Sequence, residues 1–130
     1  MRKIVMRAGV PAFLALAAVA SPWMAAAAPA PPPVAPKAFT GCKMCHVTTA
    51  GQRSGLGPNL FGVTARAPGT LPGFAYSPAM KATGGTWSRA RLAAFIGDPK
   101  KTVPGTKMAF AGLKNPAEAA AVADYLLKLR

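Results

Sequence analysis

The stretch "GCKMCH", residues 41–46, contains both cysteines and the only histidine of a 130-residue chain. Its spacing narrows the chemistry at once. A disulfide between Cys42 and Cys45 would close a very small ring and tie no distant segments together. A thioredoxin-like redox pair needs a βαβ setting, and no such pattern flanks the motif. A zinc site needs at least one further Cys or His, and the chain has none. What remains is C-x-x-C-H, the attachment sequence of a c-type haem. Both thiols add across the vinyl groups, and His46 follows directly to place an imidazole nitrogen on iron.

The segment upstream fits that reading. Met1, Arg2, Lys3 and Arg7 precede an uncharged apolar run, Ala8–Ala20, and the small residues Ala25–Ala28 offer cleavage sites. Residues 1–28 are therefore predicted to be an export signal, with the mature chain starting near Pro29 in the periplasm. Residues 8–28 carry no charge and are also long enough for an uncleaved membrane anchor, although Pro11, Ser21 and Pro22 interrupt them. Residues 29–36, "PAPPPVAP", read as a polyproline-like linker that cannot be helical. Residues 37–130 are left as the single domain, with no internal repeat.

From residue 30 onward the chain keeps thirteen of its sixteen Lys and Arg and all three acids, Asp98, Glu118 and Asp124, for a formal charge of +10. This balance favours an acidic partner or an anionic surface. Nucleic acid is not predicted, because the basic residues are scattered without interleaved aromatics.

Hydrophobic residues make up 52% of the chain, but only 8% are aromatic, and 13 Gly and 14 Pro limit regular elements. Three helical segments are predicted. A short one runs from Pro36, at the first helical position, to Cys42, with Phe39 as its apolar contact. A second starts at the cap Ser88, carries Leu92, Phe95 and Ile96, and is stopped by Gly97 and Pro99. The third opens with Asn115, Pro116 and Glu118 as cap, first-turn proline and capping-box acid. It presents Val122, Tyr125, Leu126 and Leu129 and runs to the C-terminus. Residues 47–86 are glycine-punctuated loop without strand alternation. The fold class is mostly α, with short helices and long loops wrapped round one covalently bound haem.

With no second histidine, the sixth position on iron falls to Met, Lys or Tyr, or stays open. Met44 sits inside the attachment loop and cannot reach the opposite face. Met80 and Met108 remain, and either alone reads as a packing residue.

Several segments, in order, resemble the class I cytochrome c family: "CKMCH", "GLGPNLFGV", "GFAYSPAM", Trp87, "DPKKTVPGTKMAFAGLK" and "ADYLLKL". The likeness runs from about residue 39 to the C-terminus. It implies that Met108, not Met80, is the sixth ligand, opposite His46, and that the Pro58 carbonyl holds the other nitrogen of His46. It implies that Arg66, Tyr76 and Trp87 bind the haem propionates, that Thr106 and Phe110 flank the ligand loop, and that Phe110 covers the haem edge. Phe95 stands where the family often has a tyrosine that touches the ligand sulfur, and Met80 where polar residues are common. The prolines leave at most two turns for the N-terminal helix, whose contact with the C-terminal helix is expected through Phe39 and Tyr125.

Imidazole and thioether on both faces leave no substrate position, so the expectation is a one-electron carrier and not an enzyme. Lys43, Lys100, Lys101, Lys107 and Lys114 would dock acidic surfaces of redox partners, a cytochrome bc1-type donor and an oxidase or reaction-centre acceptor. The carrier is expected to be monomeric. The competing readings are a membrane-tethered haem subunit of a larger oxidoreductase and a ligand-binding or peroxidase-like haem protein. The latter needs an acid–base group that a chain with one His and three acids hardly offers.

Overall fold

Among the described residues, three of the four α-helices begin with the same local grammar, a polar cap followed by proline. The computed structural model describes residues 30–130, and the export signal predicted for residues 1–28 lies outside them. Ser77 Oγ accepts from the Met80 N–H at the start of α1, Pro78–Ala82. Ser88 Oγ accepts from the Arg91 N–H at the start of α2, Arg89–Gly97. Asp98 caps α3, Pro99–Thr102, and Asn115 caps α4, Pro116–Lys128. Each cap satisfies a first-turn N–H that has no partner within the helix, and proline at the first position has no N–H to lose.

The predicted bounds of α2 and α4 hold to within two residues, while three details of the prediction are corrected. α4 ends at Lys128, short of the terminus. Asn115 caps α4 through the N–H of Ala117, and among the described residues no side-chain bond from Glu118 returns to it, so the capping box is not closed. The first segment is a 3-10 helix, Lys37–Met44, with Pro36 as its cap in extended geometry instead of its first helical residue.

The region 47–86 is also more ordered than expected, holding α1 and a 3-10 turn at Val63–Ala65. Pro99 does not simply stop α2; it opens α3 immediately after it. No strand occurs among the described residues.

α4 is the spine. It packs along α2 and also meets both 3-10 segments. Phe39, fully buried, sets its ring 4.8 Å from that of Tyr125, which is the expected contact between the two ends of the chain. The rest of the core is Met80 from α1, Leu92, Phe95 and Ile96 from α2, Ala119, Val122, Ala123, Leu126 and Leu129 from α4 and its end, Val63 from the 3-10 turn, and Trp87 and Val103 from the loops. Outside, Arg89 grips Asp124 through two hydrogen bonds of 2.6 and 2.9 Å, tying α2 to α4. The Gly62 N–H donates to the Leu129 carbonyl at 2.8 Å and fastens the glycine-rich half to the spine.

Candidate functional site

The attachment residues lie at the end of the first 3-10 helix. Cys42 lies inside that helix and Cys45 is its C-cap, close enough for the charge of Cys45 to act on the Cys42 thiol. Both are free thiols, Cys42 half-buried against the core and Cys45 exposed. The Cys42 carbonyl accepts from the N–H groups of both Cys45 (3.2 Å) and His46 (2.9 Å), which winds the motif into a single turn. Burial pushes the Cys42 thiol up from its ordinary value, so it stays a neutral thiol at neutral pH.

His46 Nδ1 lies 2.7 Å from the Pro58 carbonyl. A carbonyl only accepts, so Nδ1 carries the proton and Nε2 keeps its lone pair. Burial lowers the imidazole's basicity, opposed in part by that hydrogen bond, and keeps the ring neutral. The clamp continues along the loop. The Gly57 N–H donates to the Cys45 carbonyl at 2.8 Å, and a side chain at Gly57 would overlap the imidazole ring. Only a residue without a Cβ lets this backbone lie against the ring.

Behind the clamp stands Asn59, 7% exposed, which the sequence reading left without a role. Its Nδ2 donates to the carbonyls of Thr49 and Gln52, both at 2.8 Å, and its Oδ1 accepts from the Phe61 N–H at 2.8 Å. Its own N–H is held by Ser54 Oγ. The signal was present: an asparagine directly after the Pro58 carbonyl has the donors and acceptor to knit a loop that lacks ladder bonds.

Of the predicted haem-pocket residues, Cys42, Tyr76, Trp87 and Met108 gather on one core cluster, together with Met80 and Phe95. Trp87 packs 5.5 Å from Phe95, centroid to centroid, and Tyr76 meets Phe74 edge-on at 4.8 Å. Burial pushes the Tyr76 hydroxyl up, with the Arg66 charge opposing it. Arg66 spends its guanidinium on the Phe61 and Asn59 carbonyls, so it stands on the same loop network as His46.

The two methionines differ. Met80 is buried inside α1, whereas Met108 is half-buried in an irregular segment. That segment is fixed mainly at its ends, by Thr106 N–H to the Val103 carbonyl and Leu113 N–H to the Ile96 carbonyl, both 3.0 Å. Between them the Met108 N–H reaches Thr106 Oγ1 at 3.3 Å. Phe110 is half-buried, and Lys43, Lys100, Lys101, Lys107 and Lys114 are all exposed.

These residues fit haem c. Two free thiols stand within one turn of chain, a neutral imidazole keeps one nitrogen bare, and a core with polar edges lies beside them. No group of three His, Cys, Asp or Glu side chains converges among the described residues, so the motif does not make a metal cage by itself.

The cytochrome c family model matches residues 35–130. The chain belongs to the class I cytochrome c family. It is 50% identical over 95 residues to cytochrome c2 iso-2 of Magnetospirillum fulvum, covering 73% of this chain and 98% of that protein. It is 42% identical over 114 residues to cytochrome c2 of Rhodomicrobium vannielii, covering 87% of this chain and 91% of that one. Among solved structures it resembles cytochrome cH from Methylobacterium extorquens, with a TM-score of 0.64 and 42% identity over 70% of this chain and 91% of that one. As a member of the family the protein carries covalently bound haem c, and it is an electron-transfer protein, not an enzyme. Among the described residues no helix is long and apolar enough to cross a membrane.

Proposed function

We propose that this cytochrome c works in the periplasm as a monomeric carrier, taking single electrons from a bc1-type complex and passing them to an oxidase or reaction centre. Residues 1–28 act as a cleaved signal, 29–36 as a linker and 37–130 as the haem domain. Haem c supplies the one-electron Fe(II)/Fe(III) couple. The chain's residues do the rest. Cys42 and Cys45 would anchor the group, and His46 Nε2 and Met108 Sδ would supply the ligands to its iron. The thioether, a soft ligand, favours the reduced state and so a positive potential. Arg66, Tyr76 and Trp87 hold the propionates, Thr106 supports the ligand loop and Phe110 shields the edge.

The observation that carries this reading is the hydrogen bond from His46 to Pro58. It fixes the imidazole tautomer and orientation in advance and leaves one nitrogen lone pair for a metal. Charge supports the docking side. Lys43, Lys100, Lys101, Lys107 and Lys114 are exposed on a chain of formal charge +10 from residue 30 onward, a balance that speeds encounter with acidic partners and orients them.

The test is an absorption spectrum of the exported protein, oxidised and reduced, with and without carbon monoxide. Low-spin haem, a thioether–iron charge-transfer band and no reaction with carbon monoxide are expected. Ready binding of carbon monoxide by the reduced protein would remove Met108 from the ligand set and turn the search to a ligand-binding role. Mass spectrometry of the mature chain checks the location, since an intact N-terminus would make the protein a tethered subunit.

A further inference from the structure

The turn "TGGT", residues 83–86, has no part in the site described so far, yet one side chain gathers it and joins it to Trp87. Arg91, in the first turn of α2, sends Nη1 to the carbonyls of Gly84 and Thr86, both at 2.9 Å, and Nη2 to that of Thr83 at 3.2 Å. Its guanidinium carbon lies 5.7 Å from the centre of the Trp87 ring. The turn is shaped for this grip. Gly84 and Gly85 both have positive φ, 61° and 68°, and a Cβ on Gly85 would come within 2.8 Å of Arg91 Nη1. Thr83 is the C-cap of α1, so the fork also satisfies a carbonyl that α1 leaves free.

From this geometry we infer that Arg91 is a positioning residue for the haem pocket. It fixes the indole of Trp87 and the C-terminal end of the Met80 helix as one unit, and it sets a permanent cation beside them. The inference rests on the reading of Trp87 as a propionate donor. Two effects follow. The planar fork is pre-organised to bind several carbonyls at once, which a lysine ammonium is not, so local opening of residues 83–87 is suppressed. A fixed positive charge near the pocket stabilises the electron-rich state, so Arg91 raises the reduction potential.

The experiment compares the haem-loaded wild type with Arg91→Gln and Arg91→Lys. It reads hydrogen exchange of the Thr83 amide, which donates to the Met80 carbonyl at 3.2 Å, and of the Trp87 indole N–H by NMR, and the potential by redox titration. Arg91→Gln is expected to speed those exchanges tenfold or more and to lower the potential. Arg91→Lys is expected to recover much of the potential while exchange stays fast.

Exchange in Arg91→Gln within twofold of wild type would overturn the clamp. Wild-type exchange in Arg91→Lys would overturn the fork. Fast exchange with an unmoved potential would reduce Arg91 to a fold element and overturn its role in the redox site. Trp87→Phe, with Arg91 intact, separates the premise from the inference. If it leaves the potential unchanged, Trp87 is not a propionate donor, while the exchange of the Thr83 amide still judges the clamp.

Discussion

The segments that carry His46 and Met108 are built in opposite ways. On the histidine side, residues 45–61 are knitted by the Pro58 carbonyl, the Gly57–Cys45 bond and the bonds of Asn59, so the ring is aimed by protein alone. On the methionine side, the backbone N–H groups of residues 107–112 have a single partner among the described residues, Thr106 Oγ1. Tight packing returns at Gly112, φ 90°, where a side chain would overlap the Gly97 carbonyl. The comparison teaches that one face of the pocket is preorganised, whereas the other is a span pinned at two ends. A bond from Met108 to iron would add a third pin between them. In this construction the methionine span is the part that opens first.

Substitutions can break the comparison, and the largest effect is expected on the rigid side. Gly57→Ala would drive a methyl group into an imidazole that cannot swing away without losing Pro58. It should cost about 3 kcal/mol, read by urea unfolding of the haem protein, and cut the yield of attached haem. A loss below about 1 kcal/mol would mean that the His46 side is not rigid. Met80→Ala and Met108→Ala should then cross over. Met80→Ala leaves a core cavity worth about 2–4 kcal/mol with no opening of the iron. Met108→Ala costs the chain less in packing, yet lowers the potential and admits carbon monoxide. Equal spectra for the two would undo the ligand assignment.

Asn59→Ala sharpens the contrast from behind. It leaves the Gln52 carbonyl and the Phe61 N–H without their partner and takes one of two donors from the Thr49 carbonyl, for about 2 kcal/mol, and should raise amide exchange across 49–61 while leaving 107–112 unchanged.

The smallest effect lies away from both faces. Arg89 holds the Asp124 carboxyl below its usual range, mainly by hydrogen bonding. The stabilisation is therefore present above the ordinary carboxylate range and is lost as pH falls through the lowered value. Asp124→Asn should flatten the acid limb of the Tm–pH curve slightly, as expected of an exposed pair.

How much of this could be read beforehand follows from what each element rests on. C-x-x-C-H and the caps of α2 and α4 are local signals, written within a few residues, and were legible. The start of α1 uses the same grammar, Ser77–Pro78 in place of Asn115–Pro116, but five residues ending at two glycines show no apolar periodicity to recognise. α3 was hidden because Pro99 reads equally as a stop for one helix and a start for the next. Asn59 and Arg91 escaped for another reason. Both act on backbone carbonyls several residues away, and a carbonyl leaves no trace in the residue letters. Conversely, Phe39 and Tyr125 were paired correctly across 86 positions because each is the one large aromatic on its apolar face.

The cap–proline dipeptides at residues 77–78, 98–99 and 115–116 also act before any haem is in place. Proline restricts its own backbone and biases the residue before it toward the extended geometry that a cap adopts. The unfolded ensemble thus begins with three helix starts already narrowed, and it surrenders less entropy when they form. The chain's nucleation sites are written into the denatured state, so folding starts from fewer conformations.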